Sequence, residues 1–280
     1  MDSTPSRHIV SASRRTDLPA YLGNEFLEML KAGKAIVRNP FGGKTYDVDL
    51  RPGAVAGFVF WSKNYQPFFP VLDVLDKRGD ALYFLYTITG LSRGVTKPLE
   101  PGVPDPKAAI RTLKKLSDRY SPKQIAWRFD PVIFSNRTPA AFWLDAFSVL
   151  AEQLHGAVHR CIFSFCDYYK KVPRQLAKVG LSDWQFREGS PDEKLAMVEG
   201  LQHIAEKYSL RLDTCCEDAW ARGAIHRGSC VDAPYLKEIF PDRNIPMLKR
   251  PTRKECGCWE SRDIGTYATC RALCPYCYAL

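Results

Sequence analysis

The 280-residue sequence predicts an α/β fold: a (β/α) barrel of TIM type, complete or partial, with a cysteine-rich C-terminal tail laid over its C-terminal face. Three observations carry this expectation. Short, almost continuously apolar runs alternate with amphipathic ones, the rhythm of repeated βα units whose strands are buried on both faces. Nearly every apolar run ends in polar or charged side chains, and one common mouth is the economical arrangement for so many, as at the C-terminal end of a barrel. Five of the ten cysteines fall within the last twenty-five residues, and none precedes Cys161.

Taken in order, residues 8–13 form the first run, rich in Ile and Val, and Arg14-Arg15-Thr16-Asp17 follows it. Residues 34–38 stay open between an extra strand and a loop. Residues 57–61 make the second run, followed by Lys63 and Asn64, and residues 81–89 make the third, closed by Thr87 and Thr89. Asp105-Pro106 opens a helix, since proline has no N–H to satisfy and suits the first helical turn. Residues 124–129 come next, with Arg128 and Asp130 at their end; side chains two apart on a strand share a face, so these two point inward together. Thr138-Pro139 opens a helix that stops near Gly156. Residues 160–165 form the fifth run, with Asp167 beyond it. Ser190-Pro191-Asp192-Glu193 joins a capping box to a proline at the first helical position. Residues 210–214 form the sixth run and end in Cys215-Cys216-Glu217-Asp218. Residues 246–249 are again open between strand and loop. Residues 1–220 thus read as the βα-repeat barrel and 221–280 as the cysteine-rich tail packed on it, a size that one core can serve as a single structural domain.

The start carries no basic segment followed by an apolar run, and no stretch of eighteen apolar residues occurs, the pattern expected of a cytoplasmic protein that does not enter a membrane. In that compartment cysteines stay reduced, so ten of them point to metal ligation or redox chemistry, not to a disulfide framework. A net charge of +9 and a pI near 9.0 are compatible with a nucleic-acid partner. The basic residues are nevertheless scattered, and short clusters such as Lys170-Lys171 and Lys249-Arg250 also suit a solvated surface. No GxGxxG follows the first run, which removes the dinucleotide-binding reading. The five histidines are isolated and argue against a histidine-bound metal.

Cys270, Cys274 and Cys277 stand in a C-x3-C-x2-C array interleaved with Pro275, Tyr276 and Tyr278. Three thiolates at this spacing suit three irons of a 4Fe-4S cube and leave the fourth iron open to a substrate or cofactor, whereas a closed cluster takes a fourth thiolate. The alternative is a zinc knuckle completed by Cys256 or Cys258. The array resembles that of the radical S-adenosylmethionine (SAM) enzymes, in particular the Cys-x-Tyr-Cys-Tyr variant of spore photoproduct lyase-like members. The resemblance implies a βα barrel, a cluster at its mouth, SAM on the open iron, an electron donor such as a ferredoxin or flavodoxin, and Tyr276 packed beside the cluster. Two departures stand beside it: the array comes last instead of after the first strand, as a circular permutation would place it, and the glycine-rich strand that holds the SAM amino group in that family has no counterpart. Over nearly its full length the chain is similar to the domain of unknown function 1848 family, through Ser11 to Asp17, Val37-Arg38-Asn39-Pro40, Phe60-Trp61-Ser62-Lys63-Asn64, Trp127-Arg128-Phe129-Asp130-Pro131 and the tail from Glu255 to Ala279.

A second constellation comprises Cys215, Cys216, Cys230, Cys256 and Cys258, of which four can hold an auxiliary 4Fe-4S cluster or a tetrahedral zinc. Cys161 and Cys166 read as small interior residues of a strand. A small-molecule substrate beneath the first cluster would be positioned by Arg14, Arg15, Asp17, Lys63, Asn64, Arg128 and Asp130. The same residues have plainer readings: a helix-start salt bridge for Arg14, Arg15 and Asp17, a strand terminus for Lys63 and Asn64, and a buried ion pair for Arg128 and Asp130. Three functions follow: a radical-SAM-like enzyme, an enzyme that binds substrate at the open iron without SAM, and an iron-sulfur electron carrier with a nucleic-acid partner.

Overall fold

The structure, a computed structural model, describes residues 7–40, 42–169, 171–178, 181 and 183–280; Lys170, half of one basic cluster, lies outside them. In chain order the strands are β1 (His8–Ala12), β2 (Lys34–Arg38), β3 (Thr45–Asp49), β4 (Val55–Ser62), β5 (Leu82–Thr87), β6 (Ile125–Val132), β7 (Arg160–Phe165), β8 (Arg211–Thr214), β9 (Ile225–Arg227) and β10 (Arg262–Asp263). The helices are α1 (Leu18–Tyr21), α2 (Gly23–Ala32), α3 (Phe69–Arg78), α4 (Pro106–Arg119), α5 (Ala140–Leu154), α6 (Val172–Lys178), α7 (Pro191–Lys207) and α8 (Ala233–Ile239).

Eight strands form one sheet in the order β10-β1-β4-β5-β6-β7-β8-β9, and every neighbouring pair is parallel. From β1 onward this order is chain order, so each crossover moves one strand further in the same direction. Helices α1 to α7 accordingly pack their apolar stripes on one face, against Phe58, Phe60, Phe84, Trp127, Phe129 and Phe163. The other face carries Ile9, Val59, Tyr83, Leu85, Ala126 and Ile162. It is covered by α8 and by the segments around Val231, Ile245 and Cys256. The two faces follow from the period of two along each strand, and their burial explains why the strand sequences read as continuous apolar runs.

The mixed α/β class and the parallel sheet meet the expectation. Barrel closure does not appear: β9 and β10 are the two edges, and no ladder joins them among the described residues. Within residues 221–280, β9 and β10 join the sheet at its two edges. Of the two open segments, residues 34–38 form β2, paired antiparallel with β3 in a separate hairpin, and residues 246–249 contribute only an isolated bridge from Lys249 to Trp259. No helix among the described residues is long and apolar enough to cross a membrane.

Local chemistry accounts for the element ends. Asp105 caps α4 by accepting from Lys107 N, and Ser190 and Glu193 close the reciprocal capping box of α7. Gly33 and Gly79 stop α2 and α3 with positive φ, a conformation that costs glycine little.

Candidate functional site

Because the sheet strands are parallel, their C-terminal ends and following loops share one side, and a cavity of about 1290 Å³ opens there. Its lining includes, apart from Asn64, every residue read from the sequence as positioning a substrate, together with Tyr276 and the eight candidate ligand cysteines. Asn64 instead turns its Oδ1 to accept from Gln66 N at 3.1 Å, closing the turn after β4.

Asp17 is a scaffold residue. Its carboxylate accepts from Ala20 N (3.1 Å), Ser62 Oγ (2.6 Å) and Lys63 N (2.8 Å), so it caps α1 and holds the end of β4 against it. Burial raises its pKa to about 6 against the pull of these donors. The expected salt bridge to Arg14 or Arg15 does not form. Arg15 lies 3.9 Å from Asp263 and over the Tyr267 ring, while Arg14 donates to Ser261 Oγ at 3.1 Å and stacks on Trp61.

Arg128 stacks on Trp61 as well, and it is ion-paired to Asp130, which also accepts from Ser164 Oγ. The inward pair read from the strand period is therefore present. One buried guanidinium nitrogen on each arginine, Arg14 Nη2 and Arg128 Nε, has no hydrogen-bond partner. Buried donors of this kind are costly unless a ligand or water meets them.

The tail reaches this mouth through specific bonds. Tyr278 OH donates to Arg14 O (2.7 Å), Lys171 Nζ to Leu280 O (2.6 Å) and Gly102 N to Ala272 O (3.1 Å). Glu100, buried, accepts from Lys63 Nζ (2.7 Å), Thr89 Oγ1 (2.8 Å) and Tyr276 OH (2.5 Å), tying the tail to the loops after β4 and β5. Cys270, Cys274 and Cys277 all line the cavity. Burial pushes all three thiols up, while the Lys63 charge pulls Cys274 and Cys277 the other way. Ala279 N donates to Cys277 Sγ at 3.3 Å.

Cys215, Cys216, Cys230, Cys256 and Cys258 line the same cavity. Cys215 and Cys230 place their sulfurs 3.6 Å apart. Hydrogen bonds from neighbouring thiols hold Cys230 and Cys256 well below the ordinary thiol range and leave Cys215 and Cys258 above it. Among the described residues no three His, Cys, Asp or Glu side chains are arranged as placed to hold a metal ion. Cys161 is buried on the helix-covered face of β7, as its strand position suggested, whereas Cys166 is not the interior strand residue expected: it lies just past the end of β7, half-buried, and lines the cavity.

Sequence reasoning passed over Glu100, Asp263 and Trp61. Glu100 follows a short 3-10 segment with no periodic signal. Asp263 sits on a two-residue strand and accepts from Ser11 Oγ, Ser13 Oγ, Arg14 N and Gly265 N. Trp61 looked like one more apolar strand residue, although its place directly before Ser62-Lys63 put it at the mouth.

Residues 9–279 match the family described as Domain of unknown function (DUF1848). No curated protein and no solved structure matches the chain.

Proposed function

The chain belongs to the DUF1848 family, and from that premise and the site we propose that it is an iron-sulfur enzyme. Cys270, Cys274 and Cys277 would hold a 4Fe-4S cluster with one open iron, and a small-molecule substrate would occupy the cavity beneath. The observation that carries this reading is that the three-thiol array and the charged strand ends line one cavity of about 1290 Å³. The donor chemistry suits such a cluster: three thiols, an N–H bond to the Cys277 sulfur, and the positive charges of Lys63 and Lys171 near it. Hydrogen bonds and charge of this kind tune such clusters. When bound, the cluster supplies one-electron reduction and an exchangeable iron, the chemistry of the SAM radical enzymes that the array resembles, with a ferredoxin or flavodoxin as electron donor in the cytoplasm.

The chain's own residues then have distinct tasks. Arg14 and Arg128, stacked on Trp61 and each with an unpartnered nitrogen, favour an anionic substrate group. Asp130 fixes the orientation of Arg128. Lys63, held by Glu100, stands over Tyr276, and that ring shields the Cys274 side from water. In this reading the sheet is the wall of a (β/α) barrel, supported by eight parallel strands in cyclic chain order with seven helices on one face. A cavity this large also favours an enzyme over an electron carrier with a nucleic-acid partner, which needs no substrate space. A second reading drops SAM and lets the substrate bind the open iron; the missing glycine-rich strand favours it.

The test is anaerobic purification with iron and sulfide counts, then EPR of the reduced protein with and without SAM. About four irons and a SAM-altered spectrum, both lost in Cys277→Ala, are expected for the SAM enzyme. An unaltered spectrum selects the second reading, and a chain that takes up no iron defeats both.

A further inference from the structure

Cys215, Cys216, Cys230, Cys256 and Cys258, apart from the C-terminal array, are packed in a way that points to a separate ligand. Cys215 and Cys230 place their sulfurs 3.6 Å apart, and Cys216, Cys256 and Cys258 line the same cavity wall with them. These residues come from the loop after β8, the loop after β9 and the segment before β10.

The scaffold that joins them is tight. Gly228 N donates to Thr214 O at 2.8 Å, and a Cβ on Gly228 would fall 2.2 Å from that oxygen. A Cβ on Gly257, between Cys256 and Cys258, would fall 2.6 Å from Gly228 O. Only glycines let the two cysteine-bearing loops approach so closely. Buried Arg160 clamps the first loop on both sides of Cys230, through Ser229 O at 2.9 Å and Asp232 at 3.0 Å. Ser229 Oγ closes the second loop onto the first through Gly257 O at 2.7 Å.

Donors converge on the sulfurs as they do on metal-bound thiolates. Val231 N meets Cys258 Sγ and Cys258 N meets Cys256 Sγ, each at 3.4 Å, and Thr252 Oγ1 meets Cys256 Sγ at 3.3 Å. Cys216 differs from the other four. Its φ is 57°, and its sulfur accepts from Arg253 Nε at 3.0 Å.

We infer that Cys215, Cys230, Cys256 and Cys258 hold one tetrahedral divalent ion of the zinc class, independent of the array at Cys270–Cys277. The geometry chooses the ion type. Zinc–sulfur bonds of about 2.3 Å give a tetrahedron with sulfur–sulfur edges of about 3.8 Å, and Cys215 and Cys230 already stand 3.6 Å apart. A single ion keeps neighbouring thiolates in contact, whereas a 4Fe-4S cube parts them, one to each iron. As placed, the four thiols do not surround one point, and an ion would draw them together. Four thiolates and a divalent cation leave a net double negative charge, and Arg14 and Arg128 stand close enough to act on Cys230. Thiolate softness excludes magnesium and calcium.

The test removes the other array. The full chain carrying Cys270→Ala, Cys274→Ala and Cys277→Ala is expected to retain about one zinc-class ion and no acid-labile sulfide. Adding Cys230→Ser should weaken retention at least tenfold, while adding Cys166→Ser should leave it unchanged. X-ray absorption at the zinc edge of the unmodified chain gives the same answer without any variant, with about four sulfurs at about 2.3 Å expected. Stoichiometric iron and sulfide in the triple variant, or an unmodified chain without a four-sulfur ion, overturns the inference. The iron count at Cys270–Cys277 is read separately, so failure there leaves this result interpretable.

Discussion

Glu100 illustrates how one side chain can connect distant parts of the chain. It is buried and accepts from Lys63, Thr89 and Tyr276, which come from three separate segments. Removing a buried carboxylate strands its partners, and the cost of an unpaired buried charge exceeds that of the lost bond. Glu100→Ala should therefore lower unfolding stability by about 3 kcal/mol in urea titration, and an unchanged midpoint would refute the tie. Glu217 behaves differently. Burial raises its pKa to about 7, only partly offset by the hydrogen bond from Phe165 N. A carboxyl whose folded pKa lies above its unfolded value binds more protons when folded, so stability falls as pH rises between the two values and the loss is complete above about 7. In Glu217→Gln that fall, from near pH 4.5 to near pH 7, should shrink, leaving the variant about 2 kcal/mol more stable than the parent at pH 8. Matching pH profiles would show that Glu217 ionises freely in the fold.

At the scale of elements, the close approach of the loops after β8 and β9 rests on Gly228. A methyl group there meets the Thr214 carbonyl, which is backbone and cannot swing aside. Gly228→Ala should cost about 2–3 kcal/mol and move Cys230 away from Cys215, whereas Gly53→Ala, with nothing within 4 Å of its Cβ, should stay within about 0.5 kcal/mol. Equal thermal stability of the two variants would contradict this packing. Elements with strong local signals were legible beforehand. β7 spans the run read from its apolar residues, and α7 begins at the capping box. Short elements were not: α1, α8, β9 and β10 have two to seven residues, too few to show a period. β10 is a strand because Ser11 and Val10 offer it a partner edge, not because Arg262-Asp263 favours extension.

For the whole molecule, the C-terminal residues beyond β10 cover the mouth without adding a strand or helix. A chain ending at Gly265 should keep the far-UV circular dichroism of sheet and helices while losing the iron proposed for Cys270, Cys274 and Cys277. Collapse of that signal would mean that the tail supports the fold as well as the site. The βα rhythm, the inward Arg128–Asp130 pair and the membership of both cysteine groups were set by local pattern, because apolar runs, caps and cysteine spacings are local or compositional. Packing across the fold made β9 and β10 the sheet edges, turned Asp17 to cap a helix instead of meeting an arginine, and brought Glu100 and Asp263 to bind the tail and loops together. Those outcomes depend on contacts between residues far apart in the chain, such as Ser11 with Asp263 and Glu100 with Tyr276, and a linear pattern carries no record of which distant groups will meet.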